Sequence, residues 1–139
     1  MKEEHLAIAS VPRQKWGPIY AAPKALKTGT IFEELDMPFF AADIVSENQL
    51  EKIPDEREQM MQSIYENGFV MTDLMLYLDM HPEDMDAQDL LKTTLHERNA
   101  LKKEFAEKYY PLLADCMAED AGMSYSWTEG PVPWEGACI

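Results

Sequence analysis

The sequence predicts a mainly α protein: an antiparallel helical hairpin with helices at about 55–80 and 84–110, an extended proline-rich N-terminal arm, and an aromatic, Pro/Gly-rich C-terminal tail. Three observations carry this. Apolar residues recur at helical spacing from Met61 to Leu78 and again from Ala87 to Leu112. A short polar turn, His81-Pro82-Glu83, parts the two stretches. Five of the nine prolines, at 12, 18, 23, 38 and 54, precede the first stretch, and Pro131 and Pro133 follow the second. The chain therefore divides into an arm over 1–54 and a hairpin with its tail over 55–139.

Proline removes a backbone donor and turns its predecessor away from the helical region, so the arm reads as mostly extended. Within it, Pro23 to Leu26 starts a short helical turn that Gly29 stops, and Ile31 to Leu35 makes another. Its apolar side chains, among them Trp16, Ile19, Tyr20, Ile31, Phe32 and Phe39, have little of the arm itself to pack on. Such an arm needs a surface to lie on.

In the first long helix, Pro54 at a first-turn position with Asp55, Glu56 and Glu58 just inside suits the positive end of the helix dipole. At about 100° per residue, Met61, Ile64, Tyr65, Gly68, Met71, Met75 and Leu78 share one stripe, and Phe69, Leu74 and Leu76 widen it. One antiparallel partner covers a stripe about 100° wide, and this apolar arc is roughly twice that. Val70 and Tyr77 lie near the polar side. The helix is therefore expected to be wrapped on several sides, by its own arm, by its tail or by another protein.

The second long helix is expected from Asp84 to Tyr110, started by Pro82 and Asp84, with Asp86 and Asp89 in its first turns. Ala87, Leu90, Leu91, Leu95, Leu101, Phe105, Tyr109 and Leu112 share its apolar stripe, opposite Asp89, His96, Lys103 and Glu107. Glu104 and Lys108 form an i, i+4 pair in the favourable order. Arg98 projects into the apolar stripe, where it snorkels or pairs with an acid such as Glu66. Pro111 kinks or ends the helix, although the following residues stay helical in style and permit an extension to 121.

With 26 acidic against 12 basic residues the net charge is -14, which repels phosphate backbones and anionic lipid surfaces. The one basic cluster, Arg13, Lys15, Lys24 and Lys27, is too small to reverse this, and no nucleic-acid role is expected. No run approaches the roughly 20 apolar residues of a bilayer span. The N-terminal apolar patch is too brief and too acidic for a signal peptide, and two cysteines, Cys116 and Cys138, fit a reducing compartment. Synthesis in a cytoplasm is expected.

The acidic turn Asp79, His81, Glu83, Asp84, Asp86 invites a metal reading. Proline replaces the flexible centre of a calcium loop and no glycine is present, and the simpler reading is that His81-Pro82 ends one helix while the acids cap and charge-match the next. His5, His81 and His96 never stand at i, i+4 spacing, and neither HExxH nor CxxC occurs. Cys116, on the continued apolar stripe, reads as a buried, inert thiol. No catalytic residue, metal or cofactor is expected. Ten methionines, five of them between 60 and 80, supply adaptable apolar surface and favour an interface.

Gln14-x-Trp16, Tyr20, Ala25-Leu26, Gly29-Thr30, Phe32, Leu35 and Pro38-Phe39 resemble the spore coat associated family CotJA. From about residue 60 onward the chain is similar to the spore coat family CotJB: Leu76-Tyr77-Leu78-Asp79-x-His81-Pro82 stands close to that family's LYLDTHP, Lys108-Tyr109-x-Pro111-Leu112 to its KYGPL, and Trp127 with Gly130-Pro131-x-Pro133-Trp134 to its tail. Tyr110 stands where that family has glycine, and Val132 where it has tryptophan. The two families are usually separate, neighbouring proteins, and their joining implies that arm and hairpin bind each other.

The resemblance implies a structural or adaptor component of the bacterial endospore coat, made in the mother cell and deposited on the forespore, not an enzyme and expected to oligomerise. It also implies a partner, the manganese-catalase-like coat protein CotJC, which would supply its own metal ligands. Partner contacts are expected at Trp16, Tyr20, Phe32 and Phe39 of the arm and at Tyr125, Trp127 and Trp134 of the tail, because aromatics dominate interface energetics. Some of these are expected to fold back onto Met61 to Leu78. The alternative is a small metal-binding protein or metal-dependent enzyme using Asp79, His81, Glu83 and Asp86. A tetratricopeptide-like hairpin ranks last, because a stable solenoid needs about three repeats and one is visible.

Overall fold

The computed structural model describes residues 13–37, 54–117 and 125–131. Three α-helices occur among them: α1 (Ala22–Thr28), α2 (Glu56–Met80) and α3 (Met85–Lys108), with α2 and α3 packed as the hairpin and α1 lying against α2. Short 3-10 turns follow at Glu33–Leu35, Ala114–Cys116 and Ser126–Glu129.

Each helix begins where the chain supplies a carboxylate or a proline. Asp55 caps α2: its Oδ1 accepts the Glu58 amide at 2.7 Å, while Glu58 Oε2 accepts the Asp55 amide at 3.1 Å. This reciprocal box places Asp55 at the N-cap and Pro54 before it, one or two residues outside the first turn in which the sequence put them. Asp55→Ala is expected to lower stability by about 1 kcal/mol, read as a lower midpoint in a circular-dichroism melt. Asp84 caps α3 by accepting the Ala87 amide at 3.2 Å. Gly29 ends α1 at φ 90°, where a side chain would be strained, and its amide reaches the Ala25 carbonyl at 2.8 Å.

α3 stops at Lys108 and does not continue to 121 as the sequence allowed. Pro111 has no amide to donate and biases Tyr110 towards extended backbone, and over the described residues up to 117 a 3-10 turn at Ala114–Cys116 follows in place of α-helix. Lys108 ties the two ends of the hairpin together, with Glu104 at 3.0 Å and Glu56 at 3.1 Å. These hydrogen-bonded carboxylates hold its ammonium more firmly charged than usual. The pairs are exposed, so solvent screening leaves them little weight in the stability of the fold.

The core is made jointly by hairpin and arm. Ala25, Ile31 and Phe32 of the arm form one buried cluster with Val70, Leu74 and Tyr77 of α2 and Ala87 of α3, with Trp16, Ile19, Tyr20, Leu90 and Leu91 packed against it. Val70 and Tyr77, which lie off the main stripe, are buried because the arm covers that side. The wrapping expected of α2 is thus supplied at this end by its own arm. The other end of the hairpin buries Ile64 and Phe105, whose ring meets Tyr109 and Tyr110 at 5.0 and 5.2 Å.

Some stripe residues are not buried. Tyr65, Met75 and Leu76 of α2 and Leu95 of α3 are exposed, whereas Thr94 is buried with its hydroxyl donating to the Leu90 carbonyl at 2.9 Å. That internal bond lets a polar residue take the place expected of Leu95. Arg98 runs along α2 over Gly68, where an added Cβ would stand 3.3 Å from the guanidinium Nε. The alternative, a pair with Glu66, is not made; Glu66 accepts a bond from the Gln62 side-chain Nε2 instead at 3.0 Å.

Candidate functional site

The arm returns on itself before it reaches the hairpin. Tyr20 donates its amide to the Ile31 carbonyl at 2.7 Å, Glu33 to that of Pro18 at 3.3 Å, and Ile19 and Phe32 form an antiparallel bridge, with α1 as the loop between them. Lys24 lies 3.5 Å over the Tyr20 ring, and the Tyr20 hydroxyl donates to Asp36 at 2.9 Å, which pushes its pKa up. The Gly29-Thr30 pair then places two donors on α2. The Ile31 amide and the Thr30 hydroxyl both reach Asp73 Oδ2, at 2.8 and 3.2 Å, while Thr30 Oγ1 accepts the Phe32 amide at 3.1 Å.

Beyond Asp73, three rings meet. Trp16 stands 5.3 Å from Tyr77 and 5.9 Å from Phe32, and Phe32 stands 5.2 Å from Tyr77. His81 stacks on Tyr77 at 4.3 Å and 6°. Such pairs contribute about 0.5–1.5 kcal/mol each beyond their burial. Arg13 fastens the start of the described arm: its Nε donates to His81 Nε2 at 3.1 Å, its Nη2 donates to the Met80 carbonyl, and it lies 3.8 Å from Glu83. With Nε2 accepting, the proton of the neutral imidazole sits on Nδ1, 3.1 Å from the Tyr77 carbonyl.

Tyr77 joins this clasp to the hairpin turn. Its hydroxyl donates to Asp84 Oδ2 at 2.9 Å, while the other oxygen of Asp84 caps α3. Burial, then the bond to Asp84 and the repulsion that carboxylate would exert on a phenolate, push the Tyr77 pKa up to about 12. Because the folded pKa lies above the ordinary 10.0, the contribution is complete below about pH 10 and is lost as pH rises towards 12. A spectrophotometric titration is expected to show one tyrosine ionising last, and Tyr77→Phe is expected to remove that step and its share of the alkaline loss of stability.

The expected contact residues part company here. Trp16, Tyr20 and Phe32 are turned onto the chain's own hairpin, and Phe32 is only 2 % exposed, so it is corrected from partner contact to core. Tyr125 and Trp127 are exposed near the opposite end of α2, where Trp127 lines a cavity of about 430 Å³ with Met61, Tyr65 and Tyr110. Gly130 closes against the Tyr110 ring, whose Cδ2 would stand 2.8 Å from an added Cβ, and the Tyr110 hydroxyl accepts a bond from Arg57 at 3.1 Å. Phe39 and Trp134 lie outside the described residues.

In the turn motif, Leu76 and Asp79 are exposed, Tyr77 is buried, Leu78 packs against the core, His81 caps the C-terminus of α2, and the Pro82 carbonyl accepts a bond from the Gln88 side-chain Nε2 at 2.6 Å. Asp79, His81, Glu83 and Asp86 are not gathered into one cluster: among the described residues no three His, Cys, Asp or Glu side chains stand as a metal-binding group. Reading residues by type missed Asp73, Thr30 and Arg13. The lone acid of the apolar run Leu74 to Leu78 and its approach, Asp73, was the available signal.

The fold and this site define a helical hairpin clasped by its own N-terminal arm at the turn between the long helices. The chain belongs to the CotJB protein family, whose model matches residues 58–135, and residues 5–39 match the spore coat associated protein JA (CotJA) family. It is thus a spore coat associated protein in which a CotJA-like segment precedes a CotJB-like one. A search of curated proteins returned no match, and neither did a search of solved structures. No helix among the described residues is long and apolar enough to cross a membrane.

Proposed function

We propose that this chain is a non-enzymatic structural adaptor of the endospore coat, a folded module that docks other coat proteins and associates into larger assemblies. The observation that carries the reading is the apolar surface left on the hairpin after the arm has been seated: Leu76, Met80 and Met85 near the turn are each more than three-fifths exposed, and Tyr65, Met75, Tyr125 and Trp127 are exposed as well. Leu35, Leu76 and Met80 line one groove, and large apolar side chains exposed side by side on a small protein are characteristic of binding surfaces. The family resemblance supplies the first partner, a CotJC-like manganese catalase, with the metal chemistry residing in that enzyme.

The metal-dependent alternative gains no support from the geometry, since both ring nitrogens of His81 face protein partners, Arg13 and the Tyr77 carbonyl. Coexpression of the chain with a CotJC-like protein, followed by affinity purification through a tag on either one, tests docking. Copurification in a fixed ratio is expected. Recovery of each protein alone at every expression ratio would overturn the reading.

A further inference from the structure

The arm leaves a groove as well as a clasp. Between the Glu33–Leu35 turn and α2 lies a space of about 350 Å³ floored by Leu35, Leu76 and Met80, which are 47, 62 and 64 % exposed. Leu76 and Met80 stand one turn apart on α2, so the apolar floor runs along the helix axis. Exposed acids neighbour it in sequence, Glu33 and Glu34 before Leu35 and Asp79 between Leu76 and Met80, while the lining carboxylate, Asp73, is bonded to the Ile31 amide and the Thr30 hydroxyl and Asp36 to the Tyr20 hydroxyl. The cation that lines it, Arg13, is turned to His81 and the Met80 carbonyl and has its counter-charge in Glu83, 3.8 Å away.

We propose that this groove receives a basic amphipathic helix of a coat partner, laying a stripe of Leu- or Met-like side chains on Leu35, Leu76 and Met80 while its lysines and arginines meet the acidic rim. The inference deepens the adaptor reading and rests on it. Charge selects the occupant. A chain of net charge -14 repels a second copy of itself at such a rim, whereas a basic segment is steered in and held in register. An elongated apolar floor matches the i, i+3, i+4 anchors of a helix lying in a groove. Exposed methionine adds the adaptability such surfaces use.

The probe is a synthetic amphipathic peptide of about five helical turns, leucines on one stripe and lysines elsewhere, titrated calorimetrically into the full chain alongside a counterpart with glutamate for lysine. The lysine peptide is expected to bind, more weakly as salt rises, and the glutamate peptide is not. The double variant Leu76→Gln, Met80→Gln is expected to weaken binding roughly tenfold, and Leu113→Gln, exposed but not lining the groove, to leave it unchanged. All three positions are solvent-facing, and a circular-dichroism melt checks that the fold survives.

Equal binding by the double variant, or binding of the glutamate peptide, would overturn the groove assignment. The copurification assay, run on the same variants, separates the two claims. A coat partner retained by the double variant as by the native chain sinks the groove and leaves docking standing, whereas a partner retained by neither sinks both.

Discussion

Tyr77→Ala is expected to destabilise the protein by about 3–5 kcal/mol and to free the arm from the hairpin in the same step. The side chain is 4 % exposed and lies where four things meet: the Trp16 and Phe32 rings of the arm, the stacked His81, and the carboxylate of Asp84 that also caps α3. Truncation leaves a ring-sized hole and removes the donor from Asp84. Phe105→Ala is the control: a fully buried ring of similar size at the far end of the hairpin, it is expected to cost about as much while leaving the arm seated. Trypsin separates the two. Lys24 and Lys27 sit on exposed faces of the arm's helix α1, and cleavage there below the melting transition is expected to accelerate in Tyr77→Ala and not in Phe105→Ala.

Asp73→Ala is expected to cost about 2–3 kcal/mol and again to loosen the arm, because a hydrogen bond to a charged acceptor is worth about 1.5–3 kcal/mol and its loss here orphans a buried donor. Ile31 is fully buried, its amide has Asp73 Oδ2 as acceptor at 2.8 Å, and the Thr30 hydroxyl shares that oxygen. Asp73→Asn keeps an oxygen at the same reach and is expected to restore more than half of the loss. Denaturant unfolding of the three proteins checks the order: native chain, then Asn, then Ala.

Much of the hairpin was legible because its signals are local. The period of apolar residues, the acids at both N-termini, and Gly29 after a proline-started turn each act within a few residues of themselves, and the structure has helices in all three places. The stop after Lys108 was half-legible, since Pro111 opposed a helical-looking stretch and the backbone restriction won. The faces were less so. Periodicity weighs apolarity alone, so it favoured Leu95 over Thr94, whose hydroxyl is satisfied inside its own helix.

The clasp was the least legible part, for a physical reason. The groups that Asp73 holds are a backbone amide and a threonine hydroxyl some 40 residues away, and Arg13 finds a ring nitrogen and a carbonyl at the end of α2. Backbone partners leave no mark in side-chain pattern. What the pattern did carry was the need for a cover: an apolar arc too wide for one helix and an arm with nothing of its own to pack on. The structure joins those two needs, which is why Trp16 and Phe32 serve the core more than a partner.

Hydrogen exchange on the purified, intact chain, followed residue by residue at low concentration, tests the clasp most directly. The amides of Ile31, bonded to Asp73, and Tyr20, bonded to the Ile31 carbonyl, are expected to exchange as slowly as those of Leu74 and Tyr77 within α2, and independently of protein concentration. Exchange of Ile31 and Tyr20 at free-peptide rates while Leu74 and Tyr77 stay protected would contradict the account, because the hairpin would then hold its core without the arm.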